Sequence, residues 1–467
     1  MSKQNRPGEP MWQGHGQEIE ADGIAVLQRN VAGMDVGSKS HWVCAPTLDG
    51  TGREVKEFGA TTPELERLGQ WLQERKVESI AMESTGVYWI APHEILERQG
   101  LKVLLVCTRT LAQVPGRKKT DRIDCKWIQR LHSCGLLGGS FRPAELVCMV
   151  RTLVRDQSNL MAERGDWIRR IQKSLDQMNV RVHRAVSDIE GATGMAIIRA
   201  IVDGQRDPAK LAELRDPGCR KSSAEIAEQL SGHWRQDHLF SLQQSLKMYD
   251  AIGERIQAYE QEILRQLGNL QPAENQDKQA PRLKNSNKAK MIRQRGEEPM
   301  RQALFRMSGV DLAGIDAVGV GVAQVILTEY GPDLSRFPTE KHFISHVTLA
   351  PKQGVTGGKP LKKKKRGSAS SRVAAALRSA ALSLRHSQTA LGAYFRHTAN
   401  RRGADVATFA TARKLATHIY RLLRWGQAYV DVGAEVYESC YRAARVHRLR
   451  TNAAQLGYEL IQKTAAV

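Results

Sequence analysis

Apolar positions along the first 140 residues change period several times, and each change marks an element. Val31–Val36 and His41–Pro46 are short apolar runs separated by Gly37-Ser38-Lys39, and Arg53–Phe58 alternates; the spacing predicts three strands, the first two as a hairpin. Thr62-Pro63-Glu64 then reads as an N-cap, a proline at the first helical position and an acid in the first turn. The helix that follows carries Leu65, Leu68, Trp71 and Leu72 on one face. Ser79–Met82 reads as a strand, Val87–Arg98 as a helix and Val103–Cys107 as a fully apolar strand. From Thr120 to about Leu137, Ile123, Trp127, Ile128 and Leu131 mark another amphipathic helix. Three strands joined by short turns must be antiparallel, whereas strands separated by helices are expected to be parallel neighbours. The order predicts a mixed five-stranded sheet of RNase H-like (RuvC-like) plan.

Beyond this α/β region the pattern turns helical. Leu153–Met178 predicts long helices or coiled-coil-like arms, and Pro272–Gln294 is polar, lacks a period and reads as a linker. The expected organisation is a disordered leader over 1–28 and a catalytic domain over 29–145. A helical arm over 146–299 follows, with its linker near 272–299. A mainly α domain over 300–432 precedes a helical basic tail over 433–467, with Arg442, Arg445, Arg448 and Arg450.

Charge narrows the partner. Among 467 residues, 70 Lys and Arg stand against 49 Asp and Glu, a formal net charge of +21 that attracts polyanions, nucleic acid above all. The seven cysteines form no C-x-x-C pair, which argues against a zinc ribbon or a disulfide framework and fits a reducing cytoplasm. No apolar run approaches the ~18 residues of a membrane span, and the polar N-terminus lacks the apolar core of a secretion signal. The expectation is a cytoplasmic protein without a membrane partner.

Four acids carry the candidate chemistry. Asp35 lies inside the first apolar strand, where a carboxylate is costly unless it is paired or binds a cation. Glu83 ends the fourth strand, the expected neighbour of the first, and Asp121 and Asp124 share a face at the start of the last helix. Each alone has a simpler reading: Asp35 a turn acid, Glu83 a solvated strand end, Asp121 and Asp124 acids that complement the helix dipole. Converging, they would repel one another without cations, and Mg²⁺ suits an all-oxygen site for phosphoryl chemistry.

Three motifs carry a family likeness. Gly33-Met34-Asp35-Val36-Gly37-Ser38-Lys39, Glu83-Ser84-Thr85-Gly86-Val87-Tyr88 and Lys119-Thr120-Asp121-Arg122-Ile123-Asp124 match, in order and distance, the acidic motifs of DEDD transposases of bacterial insertion sequences. A later block, Gly309-Val310-Asp311, Ile315–Gly319 and Leu327–Gly331, resembles that family's helix-hairpin-helix-type segment, with Ala317 where glycine is usual. Leu349-Ala350-Pro351 and Val355-Thr356-Gly357-Gly358-Lys359 resemble the loop that supplies its catalytic serine, so that Thr356 stands at the nucleophile's position. The resemblance covers roughly 31–178 and 300–425. It implies a recombinase that cuts and exchanges DNA strands on an RuvC-like domain, through a covalent hydroxyl–phosphate intermediate and a serine-type C-terminal domain. It further implies Asp35, Glu83, Asp121 and Asp124 as metal ligands, a structured bridge RNA as guide, and a homo-oligomer.

Lys359, Lys362, Lys363, Lys364, Lys365 and Arg366 place six basic residues in eight, and Arg372 follows ahead of an Ala-rich stretch. Next to Gly357-Gly358 this run suits phosphate binding, although a merely solvated charge run is the alternative. With aromatic content at 6% and no stacking stripe, a duplex or structured RNA read by its backbone fits better than splayed bases. A Holliday-junction resolvase or RNase H-type nuclease using water would share the carboxylates but not the Gly-Gly-Lys block. Ser368 is a second candidate hydroxyl. An actin-like sugar kinase would need a second Asp-x-Gly loop, and Asp311-Leu312-Ala313 lacks the glycine. A nucleic-acid-binding protein without catalysis would leave the four acids idle.

Overall fold

In the computed structural model of the chain, the residues described are 25–107, 120–219, 221–351, 355–356, 359–360 and 371–461, and they divide between two compact units, the chain passing from one to the other at 142/143. Strands β1 (Val31–Val36), β2 (Ser40–Pro46) and β3 (Arg53–Gly59) form an antiparallel meander. Helix α1 (Thr62–Glu74) leads to β4 (Ser79–Glu83), then α2 (Ile90–Arg98) and β5 (Lys102–Val106), and finally α3 (Asp121–Ser133). The sheet order is β3-β2-β1-β4-β5, with β1, β4 and β5 parallel. This is the mixed five-stranded sheet expected of an RNase H-like domain.

Strand alternation divides the core. Ala32, Met34, Val36, Ile80 and Met82 pack on one face against Leu65, Leu68 and Leu72 of α1 and Leu96 of α2. Ala81 and Val106 face the other way, against Ile128 and Leu131 of α3. Several boundaries differ from expectation, among them that of the last helix of this unit, which ends at Ser133 rather than near Leu137. α2 begins at Ile90 rather than Val87, because Val87–Trp89 form a turn in which the Ile90 amide donates to the Val87 carbonyl at 3.2 Å. The leader assignment falls mostly outside the described residues, but at its end the amides of Leu27 and Gln28 both donate to the Ser133 carbonyl, 2.9 and 3.0 Å, so those residues are ordered.

Among its described residues the second unit is helical apart from one two-stranded ladder. Helices α4 (Glu145–Gln177) and α9 (Gln236–Asn269) lie along one another in antiparallel sense, with Gln157 reaching the Ile256 carbonyl and Arg164 the Tyr249 hydroxyl. Between them come α5 (Val182–Ala185), α6 (Ala192–Val202), α7 (Pro208–Glu213) and α8 (Ser223–Leu230). These bury Val182, Ile197, Ile198, Ile201, Leu211 and Ile226 against the adjoining ends of the two long helices. The stretch read as a linker is not one: α10 (Ser286–Gln294) lies within it, capped by Asn285 and burying Ile292. Its apolar positions are too few to show a period; capping and the Lys288 ammonium on the carbonyls of Ala313 and Ile315 stabilise it instead.

Next come α11 (Glu298–Ser308), α12 (Val320–Tyr330) and α13 (Glu340–His346). The short strands β6 (Val355–Thr356) and β7 (Lys359–Pro360) pair antiparallel. Helices α14 (Arg372–Ser383), α15 (Ala390–Arg402), α16 (Ala404–Trp425) and α17 (Gly433–Gln455) complete the unit. Arg155 of α4 pairs with Glu329 of α12 through two hydrogen bonds of 2.9 and 2.6 Å. The buried Tyr420 hydroxyl donates to the Phe337 carbonyl, 2.6 Å. No described helix is long and apolar enough to cross a membrane.

Candidate active site

The parallel pairing of β1 with β4 sets Met34 opposite Met82, so Asp35 and Glu83, the next residue of each strand, stand side by side. On its other side Asp35 faces Trp42 of β2. Because Ala32, Met34 and Ile80, Met82 point into one core, alternation turns Gly33, Asp35, Ala81 and Glu83 to the opposite face, where α3 packs.

Gly33 decides how closely α3 approaches. A Cβ at this position would lie 2.6 Å from the Cys125 carbonyl oxygen and closer still to the Gln129 backbone nitrogen, so the helix backbone rests directly on β1. The Gln129 side-chain amide donates to the Val31 carbonyl at 3.1 Å and ties the same two elements. Seated there, α3 begins beside Asp35. Thr120 caps it by accepting from the Ile123 amide at 3.3 Å, and Asp121 and Asp124 occupy its first turn.

The four acids share one electrostatic environment. The Asp35 carboxyl is raised to about 6 by burial, and then by the negative charges of Glu83, Asp121 and Asp124, with a backbone hydrogen bond at Val36 acting the other way. Asp35, Glu83 and Asp124 are half-buried and Asp121 is exposed, so the group opens to solvent. Among the described residues no three His, Cys, Asp or Glu side chains are drawn together as a ready metal-ligand group. Cys125 and Cys44 lie close by, but burial pushes their thiols up to about 12 and about 11, which leaves them as neutral packing groups. After Glu83 the chain turns sharply: the Ser84 amide donates to the Val106 carbonyl at 3.0 Å, and the Trp89 indole donates to the Gly86 carbonyl at 3.1 Å.

Gly33, Thr120 and Trp42 position the site without being singled out from sequence as site residues. Thr120 was legible as the cap of a Thr-x-x-Asp start, whereas the closeness of α3 to Gly33 carries no local signal. The remaining sequence-derived candidates belong to the second unit. Thr356 and Lys359 face each other in the β6–β7 ladder, and their side chains lie outside what is described, as do Lys362, Lys363, Lys364, Lys365, Arg366 and Ser368 entirely. Arg372 is exposed at the first residue of α14, behind the Ser371 cap that accepts from the Ala374 amide at 3.2 Å.

Comparison with protein families decides the class. Residues 32–180 match the model of the DEDD-type IS110 transposase, and residues 310–396 match the one described as Transposase IS116/IS110/IS902 family, together about half of the chain. The chain belongs to the IS110 transposase family. It is therefore an enzyme of DNA transposition, and DNA is its substrate. Comparison with curated proteins finds no match. In this transposase the first matched segment holds the five-stranded sheet from Ala32 onward and the four acids, and the second holds the turn at Ala317, the β6–β7 ladder and Arg372.

Proposed function

We propose that this transposase cleaves and exchanges DNA strands at a divalent-cation site formed by Asp35, Glu83, Asp121 and Asp124. The observation that carries the reading is the environment of Asp35, whose proton affinity is raised first by burial and then by the three other carboxylates, at the end of β4 and the start of α3. An all-oxygen donor set whose negative charge is relieved by a cation fits Mg²⁺. When bound, the ion would neutralise charge developing on phosphodiester oxygens. The chain's own contribution is alignment: β1 and β4 hold Asp35 and Glu83 in register, and the Thr120 cap holds the first turn of α3 above them.

The attacking group in this proposal is the Thr356 hydroxyl. Its oxygen forms a bond to phosphorus as the bond from phosphorus to the leaving deoxyribose oxygen breaks. The hydroxyl gives up its proton, and the leaving oxygen ends as a hydroxyl. Lys359, Lys362, Lys363, Lys364, Lys365, Arg366 and Arg372 supply phosphate contacts. Arg372 in particular carries a cation at a helix start, where the helix dipole favours an anion. A structured guide RNA and a homo-oligomer complete the reading, supported by the net charge and by the family likeness. A water-using resolvase is disfavoured, since it has no need of the second transposase segment.

One assay tests the reading: trapping a covalent protein–DNA adduct on a nicked suicide substrate and mapping it by mass spectrometry. Wild type and Thr356→Ser should give the adduct and Thr356→Val should not, while the double variant Asp121→Asn, Asp124→Asn should lose cleavage but keep DNA affinity. Robust recombination by Thr356→Val removes the nucleophile assignment. Full activity of the double aspartate variant removes the carboxylate site.

A further inference from the structure

The C-terminal helix α17 buries no residue along its 23 positions. Its first half is nevertheless anchored. The Ala434 amide donates to the Gln388 carbonyl at 3.1 Å, Glu438 bonds His397 at 2.7 Å, and Tyr441 stacks on the His397 ring with centroids 4.1 Å apart. These contacts end at Tyr441. From Arg442 to Asn452 every residue is exposed, and from Arg442 to Gln455 there is no acid, against four arginines.

Some arginines on the surface of this unit are compensated by a described residue and others, Arg255 and Arg402 among them, are not. What sets the four of α17 apart is that they follow one another along one helix with no acid between them. Arg199, Arg235, Arg265 and Arg421 are each paired with a neighbouring carboxylate. Arg442, Arg445, Arg448 and Arg450 make no ion pair, hydrogen bond or ring contact among the described residues. A helical segment that buries nothing gains little from tertiary packing, and short isolated helices are marginal in water. An uncompensated cationic helix of this kind is completed by a polyanion.

At 100° per residue the four arginines span an arc of roughly 200°. Arg448 and Arg450 lie at its margins, with Leu449 at its middle between Arg442 and Arg445. That distribution matches a helix lying in a groove, with Arg448 and Arg450 towards the two phosphate walls and Arg442 and Arg445 on the face turned to the floor. The B-DNA major groove, ~12 Å wide, admits an α-helix, whereas the deep, narrow major groove of A-form RNA does not. We propose that the distal half of α17, Arg442 to Gln455, docks in the major groove of duplex DNA through Arg442, Arg445, Arg448 and Arg450. The docking rests only on DNA being the substrate, and it stands or falls independently of the carboxylate site.

The test is equilibrium binding of the full chain to a duplex DNA probe across a salt series without divalent cation, so that cleavage plays no part. Replacing the four arginines with glutamine should lower the slope of log K against log salt by up to ~3.6, about 0.9 for each phosphate that is no longer neutralised. Four lysines in their place should restore most of the slope, and Arg265→Gln, at an arginine paired with Glu262, should leave it unchanged. Thermal unfolding should not change, because none of the four is buried. An unchanged slope in the glutamine variant overturns the proposal. An equal reduction on duplex RNA of the same length overturns the groove assignment. A reduction confined to anionic phosphatidylserine vesicles assigns the helix to a membrane surface instead.

Discussion

Ala317 sits in the turn ahead of α12 with a left-handed backbone, φ 62, where its Cβ crowds the following carbonyl. Glycine carries no such penalty, so Ala317→Gly should stabilise the protein by about 1 kcal/mol. Chemical denaturation should show a higher midpoint at an unchanged slope; a lower midpoint would mean that the methyl group contributes packing that outweighs the strain. In the first unit the buried His93 accepts at Nδ1 from the Arg142 guanidinium, 2.9 Å. Burial first, and then that guanidinium, depress His93 to about 4; burial also lowers His41 and His132. In the unfolded chain histidine titrates near 6.5, so between about pH 6.5 and pH 4 the unfolded state binds more protons than the folded one. Stability is therefore complete above pH 6.5 and falls as pH drops through this window. Asp35, raised to about 6, acts in the opposite sense as one group against three. Denaturation at stepped pH should show the fall, and His93→Gln should flatten it by on the order of 2 kcal/mol. An identical pH profile in that variant would remove His93 from the account.

Among the elements, the strand-and-helix order of the first unit was legible because each segment keeps one clear period, 2 or 3.6. The placement of α3 was not. Its amphipathic stripe announces a helix that covers a sheet, but nothing local says how near it comes. Gly33 is the residue that decides this, since its missing side chain lets the backbone of α3 touch β1. Gly33→Ala must push the helix away from its bond partners, costing about 1–3 kcal/mol by overpacking and shifting Asp121 and Asp124 relative to Asp35. A crystal structure of the variant should show α3 displaced, with cleavage reduced although all four acids are intact; undiminished cleavage would show that the site tolerates the shift. The stretch over 272–294 shows the opposite case. Its helix was hidden in the sequence because a cap and a buried lysine stabilise it rather than a periodic apolar face.

Across the whole molecule, the two units are built on different physics. In the first, two apolar layers sandwich a sheet whose strands are distant in sequence, so the acids at 35, 83 and 121–124 meet only through long-range pairing. In the second, cores form largely between helices, including the cluster at the turn-around of α4 and α9. That cluster lies in a stretch where the sequence showed only helix, because its apolar residues are scattered over several short helices.

The sequence by itself determined the class of the first domain, the order of its strands, the positions of the four acids and the basic character of the chain. Each of these is written in local period, residue type or motif spacing. Tertiary structure alone decided that the proton affinity of Asp35 rises. Burial and the neighbouring charges of three residues from two other elements act on it together, and a field of that kind is a property of distances rather than of order along the chain. It likewise decided that Gly33 is a contact, that Ala317 is left-handed and that the arginines of α17 stand unpaired among the described residues. In each case the cause is a neighbour, or the lack of one, brought by folding.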